Sequence, residues 1–235
     1  MQKIIIASSS TIHGSSYLEY LLKDLKVFFK NISTILFIPY ARPGGITYDA
    51  YTKVARETFI KIDKQVRGIH EFKHPTEAIK KAEAIFVGGG NTFVLANQLH
   101  KFSLIDILKQ IVKNGTPYLG TSAGSNICGL TIKTTNDMPI IQPPNFNALG
   151  LVPFNINPHY LDPIINSTHK GETRETRIKE FHHFNTQPVI GLREGSWLYI
   201  NNKSIILKGK LSARIFEYNK TPYEVKPQTE LNQLK

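Results

Sequence analysis

A chain of 235 residues, 41% of them hydrophobic and 20% charged, holds enough apolar material to bury a core and lacks the composition of a disordered segment. Its 29 Lys and Arg against 18 Asp and Glu give a net charge of +11, which raises nucleic acid as a partner. The basic residues are scattered singly or beside acids, as in Arg56-Glu57 and Lys179-Glu180, with no basic run interleaved with aromatics, so no nucleic-acid partner is expected.

The apolar runs at 4–7 and 35–38 are far shorter than the roughly 20 residues that a membrane span needs. The N-terminal run is also too short for the apolar region of a signal peptide. A single cysteine, Cys128, excludes an internal disulfide framework and suits a reducing compartment. The expectation is one cytoplasmic domain over residues 1–235, a monomer or homodimer with no membrane partner, ending in a polar tail from about residue 224.

In chain order, short β-branched and aliphatic runs at 3–7, 34–39, 66–70, 84–87 and 117–120 read as strands. Between them, residues 17–29, 49–62, 76–81 and 92–112 carry apolar side chains at helical spacing. This alternation is the signature of βαβ units, so the fold class is α/β with a mainly parallel sheet flanked by helices. From Leu130 to Pro163 the chain becomes rich in Pro and Asn. A stretch of that length in a compact domain, with aromatic and aliphatic anchors, reads as an ordered functional loop. A helix fits 172–184, and alternating runs at 189–192, 196–200, 204–207 and 213–218 suggest further strands or hairpins.

The strongest local chemistry is Gly120-Thr121-Ser122-Ala123-Gly124, directly after an apolar strand and before a run of small residues. It has the nucleophile-elbow spacing GxSxG, in which flanking glycines permit a sharp strand-to-helix turn that exposes the serine hydroxyl. A second turn, Gly88-Gly89-Gly90-Asn91-Thr92, also follows a strand and opens a helix. Strand ends of a parallel sheet face one crevice. An N–H from Gly89 or Gly90 together with that of Ala123 could therefore form an oxyanion hole. Neither GxxxxGK[ST] nor GxGxxG is present at that turn, so a phosphate loop is disfavoured. Cys128 is the other conceivable nucleophile, although a lone cysteine more often packs as a small hydrophobe.

Serine needs a base. Of the eight histidines, His159 in Asn157-Pro158-His159-Tyr160 stands out, because the proline limits backbone freedom near the imidazole. His13, His70, His74, His100 and His169 stand in polar, surface-like settings, and His182-His183 falls late in a helix. An acid should orient the base: Asp137 completes the chain order Ser, Asp, His, while Glu194 follows a plausible strand and could serve instead. The sequence does not choose between them. No metal-ligand spacing such as HExxH occurs, and no metal or organic cofactor is expected.

Five ordered strings, GGGNTF at 88–93, GTSAGSN at 120–126, TTNDMPI at 134–140, NPHY at 157–160 and HKGETRETRI at 169–178, together resemble the peptidase E family of aspartyl dipeptidases. The likeness spans roughly the whole chain. It implies a fold similar to class I glutamine amidotransferases, with Ser122 as nucleophile, His159 as base, and Asp137 or Glu194 as acid. It further implies that Arg174 and Asn91 contact the substrate, a small peptide with a free N-terminal aspartate whose side-chain carboxylate would meet Arg174. One departure is Thr121, where well-known members of the family carry a bulkier Trp. Cyanophycinase, which cleaves an aspartate and arginine polymer, is the related alternative, and a non-catalytic binding module on the same scaffold is the other.

Overall fold

The computed structural model of the chain describes residues 2–163, 168 and 171–234. The first half alternates strands and helices: β1 (Lys3–Ala7), α1 (Leu22–Phe28), β2 (Thr34–Ile38), α2 (Tyr48–Phe59), β3 (Gln65–Gly68), α3 (Pro75–Lys80) and β4 (Ala84–Val87). There follow α4 (Thr92–Lys101), α5 (Ile105–Lys113), β5 (Tyr118–Thr121) and the single turn α6 (Ala123–Asn126). The second half contains β6 (Asn155–Asn157), α7 (Arg174–Phe181), β7 (Val189–Gly191), β8 (Trp197–Asn201), β9 (Ser204–Lys208), β10 (Ala213–Phe216) and β11 (Tyr223–Val225).

The main sheet has seven strands in the order β3-β2-β4-β5-β1-β8-β9. Its first five are parallel, and β8 and β9 extend it antiparallel beside β1. The strand residues are apolar on both faces because both faces are covered. In β1, Ile4 and Ile6 enter the core beneath α3, α4 and α5, while Ile5 and Ala7 enter the opposite core beneath α1 and α2. In β2, Leu36 and Ile38 face the first core, and Ile35 and Phe37 the second. Burying one such Ile, Leu or Phe is worth about 1.5–3 kcal/mol, so this double layer is the main source of stability.

A second, four-stranded sheet in the order β11-β10-β7-β6 lies over the first core, to which Ile156, Ile190, Leu192 and Ile215 contribute. The Pro- and Asn-rich stretch runs into β6 and is tied down by its backbone: Leu149 donates to Ile127 O at 2.8 Å and Ala148 to Leu130 O at 3.0 Å.

Three elements differ from the expectation, the first being β6 (Asn155–Asn157), a strand within the stretch expected as a loop. The single helix expected over 92–112 is broken between α4 and α5, where Ser103 takes φ 55° and Leu104 N donates to Leu99 O at 2.8 Å. The chain after residue 224 is no polar tail: Leu231 and Leu234 are each 1% exposed, and Leu231 N donates to Ile205 O at 2.8 Å on β9. Those two leucines cap the outer strand of the main sheet. Among the described residues, no helix is long and apolar enough to cross a membrane.

Candidate active site

The elbow at the end of β5 is a consequence of close backbone packing. A Cβ on Gly120 would lie 2.3 Å from Gly124 O, and one on Gly124 would lie 2.1 Å from Val87 O, so both positions exclude any side chain. Ser125 Oγ fixes the turn, its single proton lying between Ala7 O at 2.6 Å and Gly120 O at 2.8 Å. Squeezed between them, Ser122 adopts φ 53°, ψ −111°, a conformation that costs a non-glycine residue of order 1–3 kcal/mol and persists only where the surroundings enforce it. The half-buried hydroxyl of Ser122 is thereby turned out of the sheet edge.

His159 reaches this hydroxyl from the loop after β6. Its Nε2 lies 3.0 Å from Ser122 Oγ, and its Nδ1 lies 2.7 Å from Glu194 Oε1. An ionised Glu194 can only accept, so that contact places the imidazole proton on Nδ1 and turns the Nε2 lone pair toward the serine hydroxyl. His159 itself has φ 51°, and its backbone N–H donates to Ser8 Oγ at 2.9 Å. Nearby, Asn136 Nδ2 donates to Pro158 O at 2.6 Å, and Asn157 Nδ2 to Asn136 Oδ1 at 2.7 Å, so the TTND string buttresses the histidine loop.

The two acidic candidates part here. Glu194 meets the imidazole, whereas Asp137 makes no hydrogen bond to it. The Asp137 carboxylate instead accepts from Thr92 N at 2.7 Å, at the start of α4, and from Thr135 Oγ1 at 3.0 Å. Glu194 comes within reach because its segment is delivered beside β1 by the antiparallel pairing of β8.

The glycine turn also separates its members. Gly89 N–H donates to Tyr51 Oη at 3.0 Å and is already occupied, a contact that nothing in the local sequence announces. Among the described residues, the Gly90 and Ala123 N–H groups have no protein acceptor. A Cβ on Gly89 would lie 3.0 Å from Ser122 Cβ, which shows how tightly the turn and the elbow abut. Asn91 caps α4 by accepting from Val94 N at 3.1 Å and donates through Nδ2 to Met138 O at 2.9 Å, which leaves one Nδ2 hydrogen for a ligand.

Arg174 opens α7 behind Thr173, whose Oγ1 accepts from Thr176 N at 3.1 Å. A cation at a helix N-terminus opposes the helix dipole, so local helix energetics do not account for an arginine at this position. Burial, then the neighbouring Arg177, push the Arg174 guanidinium below its ordinary pKa, against the pull of Asp137. His169 and Lys170 of the same string lie outside the described residues.

The other conceivable nucleophile is inert: Cys128 is fully buried, its Sγ lies 3.3 Å from Gly124 O, and burial pushes its thiol up to about 12. Two histidines set aside in the sequence are likewise held by structural contacts, His70 against Asp49 at 2.9 Å and His182 against Gln187 O at 3.0 Å. Among the described residues, no three His, Cys, Asp or Glu side chains converge as metal ligands would.

Residues 4–208 match the model of peptidase family S51. The chain is 44% identical to a Streptomyces coelicolor protein named "Peptidase E", over 98% of this chain and 94% of that one. It is 43% identical to a Drosophila melanogaster protein named "Probable alpha-aspartyl dipeptidase", over 98% of this chain and 96% of that one. A peptidase from an acI-B1 Actinobacterium, known by its crystal structure, superposes with a TM-score of 0.72 over 98% of this chain and 96% of that one; at 17% identity it shows the fold. The chain belongs to peptidase family S51.

Proposed function

We propose that this enzyme removes an N-terminal aspartate from dipeptides and very short peptides, with Ser122 as nucleophile, His159 as general base and Glu194 as the acid that orients it. The reading is carried by the continuous hydrogen-bond chain from Glu194 through His159 to Ser122, at 2.7 and 3.0 Å. Ser122 Oγ attacks the carbonyl carbon of the first peptide bond and passes its proton to His159 Nε2. The Gly90 and Ala123 N–H groups receive the developing oxyanion. Collapse of the intermediate expels the amine, which takes the proton from His159 Nε2 and leaves an aspartyl ester on Ser122. Water then attacks the ester, giving a proton to His159, and the proton returns to Ser122 as aspartate leaves.

Specificity in this reading rests on Arg174, whose planar fork suits a bidentate grip on the aspartate side chain. Asp137 and Asn91 fix the start of α4. The reducing environment of the cytoplasm suits the single buried thiol.

The test is a substrate panel of Asp-Leu, Asn-Leu, Glu-Leu and cyanophycin. Asp-Leu is expected to exceed Asn-Leu in kcat/KM by about 100-fold, since the isosteric amide lacks the charge that Arg174 pairs with. Turnover of cyanophycin in preference to Asp-Leu would point to the related polymer hydrolase, and hydrolysis of neither would contradict the reading.

A further inference from the structure

The guanidinium groups of Arg56, Arg177, Arg193 and Arg214 each lie within 4.0 Å of a carboxylate. Among the described residues, those of Arg42, Arg67 and Arg174 do not. Arg67 lies over the Phe72 ring in a groove at the far edge of the sheet, whereas the other two stand at the end of the sheet that carries Ser122.

Arg42 follows β2 and is fixed at both ends around the glycine turn. At its base, Ala41 O accepts from Asn91 N at 2.7 Å and packs so closely on Gly90 that a Cβ there would lie 2.2 Å away. At its tip, the guanidinium carbon sits 4.7 Å from the centre of the Tyr51 ring, whose hydroxyl accepts the Gly89 N–H. Its Nε is buried and has no hydrogen-bond partner among the described residues. Arg42 is only partly buried, so a cation stacked on an aromatic ring and lacking a protein acceptor presents the rest of its fork to an anion.

Arg42 and Arg174 lie on different sides of the nucleophile. Arg174 is close enough to Asp137 to feel its charge, and Asp137 is bonded to the first turn of α4, which packs on one face of the main sheet. Tyr51, beneath Arg42, belongs to α2 on the opposite face. A dipeptide with N-terminal aspartate likewise carries two carboxylates on either side of the scissile bond: the aspartate side chain and the terminal carboxylate of the second residue.

Resting on the proposed function, we infer that Arg42 binds the free α-carboxylate of the leaving residue and so confines the enzyme to dipeptides over longer or blocked peptides. The grip also places the leaving amine beside the Gly90 turn, where His159 can protonate it.

The test measures kcat/KM for Asp-Leu and for Asp-Leu amide with wild-type enzyme, Arg42→Gln and Arg42→Lys. In the wild type, Asp-Leu is favoured over its amide. In Arg42→Gln, that ratio falls about 10- to 100-fold, the worth of a charge-assisted pair, and mainly through KM for Asp-Leu. Arg42→Lys, which keeps the charge without the fork, retains part of the ratio. A loss shared equally by both peptides assigns Arg42 a purely structural role and overturns the inference, as does an unchanged ratio; in either case the proposed function stands. If wild-type enzyme cleaves neither peptide, the proposed function falls and the inference falls with it.

Discussion

Ser8 and His159 are joined by one buried hydroxyl. Ser8 Oγ accepts the His159 backbone N–H at 2.9 Å and donates to Leu192 O at 2.8 Å, so a single side chain at the end of β1 gathers the segments that carry the base and Glu194. β1 also borders the elbow strand, and Ser122 N donates to Ala7 O at 3.2 Å. Ser8 is a positioning residue. Ser8→Ala leaves the His159 N–H unpaired, at about 1–3 kcal/mol, while Leu192 O keeps the bond from Tyr160 N at 2.9 Å. Steady-state kinetics on Asp-Leu should show kcat reduced about tenfold with KM little changed.

Glu194 and Asp137 are distinguished by substitution. Glu194→Gln removes the charge that stabilises the imidazolium and favours the productive tautomer, and should lower kcat by about 100-fold or more. Asp137→Asn disturbs the Thr92 and Thr135 contacts and should cost kcat less than Glu194→Gln does. A larger kcat loss in Asp137→Asn would reverse the assignment.

Gly90 has φ +147°, and a Cβ there would strike Ala41 O at 2.2 Å. Gly90→Ala must therefore move the turn that presents the oxyanion-directed N–H. Overpacking of this kind costs about 1–3 kcal/mol of stability. Thermal unfolding should show a modest loss, while kcat falls by about 10²-fold, the scale of losing one oxyanion donor.

The C-terminal segment supports the site through Arg193, the neighbour of Glu194. Arg193 pairs with Asp162 at 2.6 and 2.7 Å and with Glu224 on β11 at 2.9 Å. Its hydrogen bonds hold the Asp162 carboxyl below the ordinary carboxylate range. A depressed folded-state pKa contributes stability above the unfolded pKa and loses it as pH falls through the folded value. Wild type should thus melt above Asp162→Asn at neutral pH, and the gap should close as pH falls below the ordinary carboxylate range. Leu231→Ala, in the same C-terminal segment, should cost about 2–5 kcal/mol in denaturant unfolding.

The parallel strands were legible because Ile, Val and Phe runs buried on both faces need no register information to be recognised. The turns at Ser122 and Gly88–Gly90 were legible because elbow geometry demands glycines at fixed spacing, and Pro158 marked the loop that brings His159 to Ser122. The partner of the imidazole was not: Asp137 follows a turn and Glu194 follows β7, and which of them meets His159 depends on β8 pairing with β1, a contact between distant parts of the chain. The break at Ser103 carries neither Gly nor Pro to announce it. Leu231 and Leu234 are isolated apolar residues in a polar stretch, and only the outer strand β9 gives them something to cover. The occupation of Gly89 by Tyr51 is equally non-local.

The central claim is that His159 and Glu194 activate Ser122. Its most direct measurement is intact-mass analysis after exposure to a fluorophosphonate, with the adduct mapped by peptide sequencing. Wild type should gain one adduct on Ser122, and both Ser122→Ala and His159→Ala should stay unmodified. An unlabelled wild type, or labelling that persists in Ser122→Ala, would contradict it.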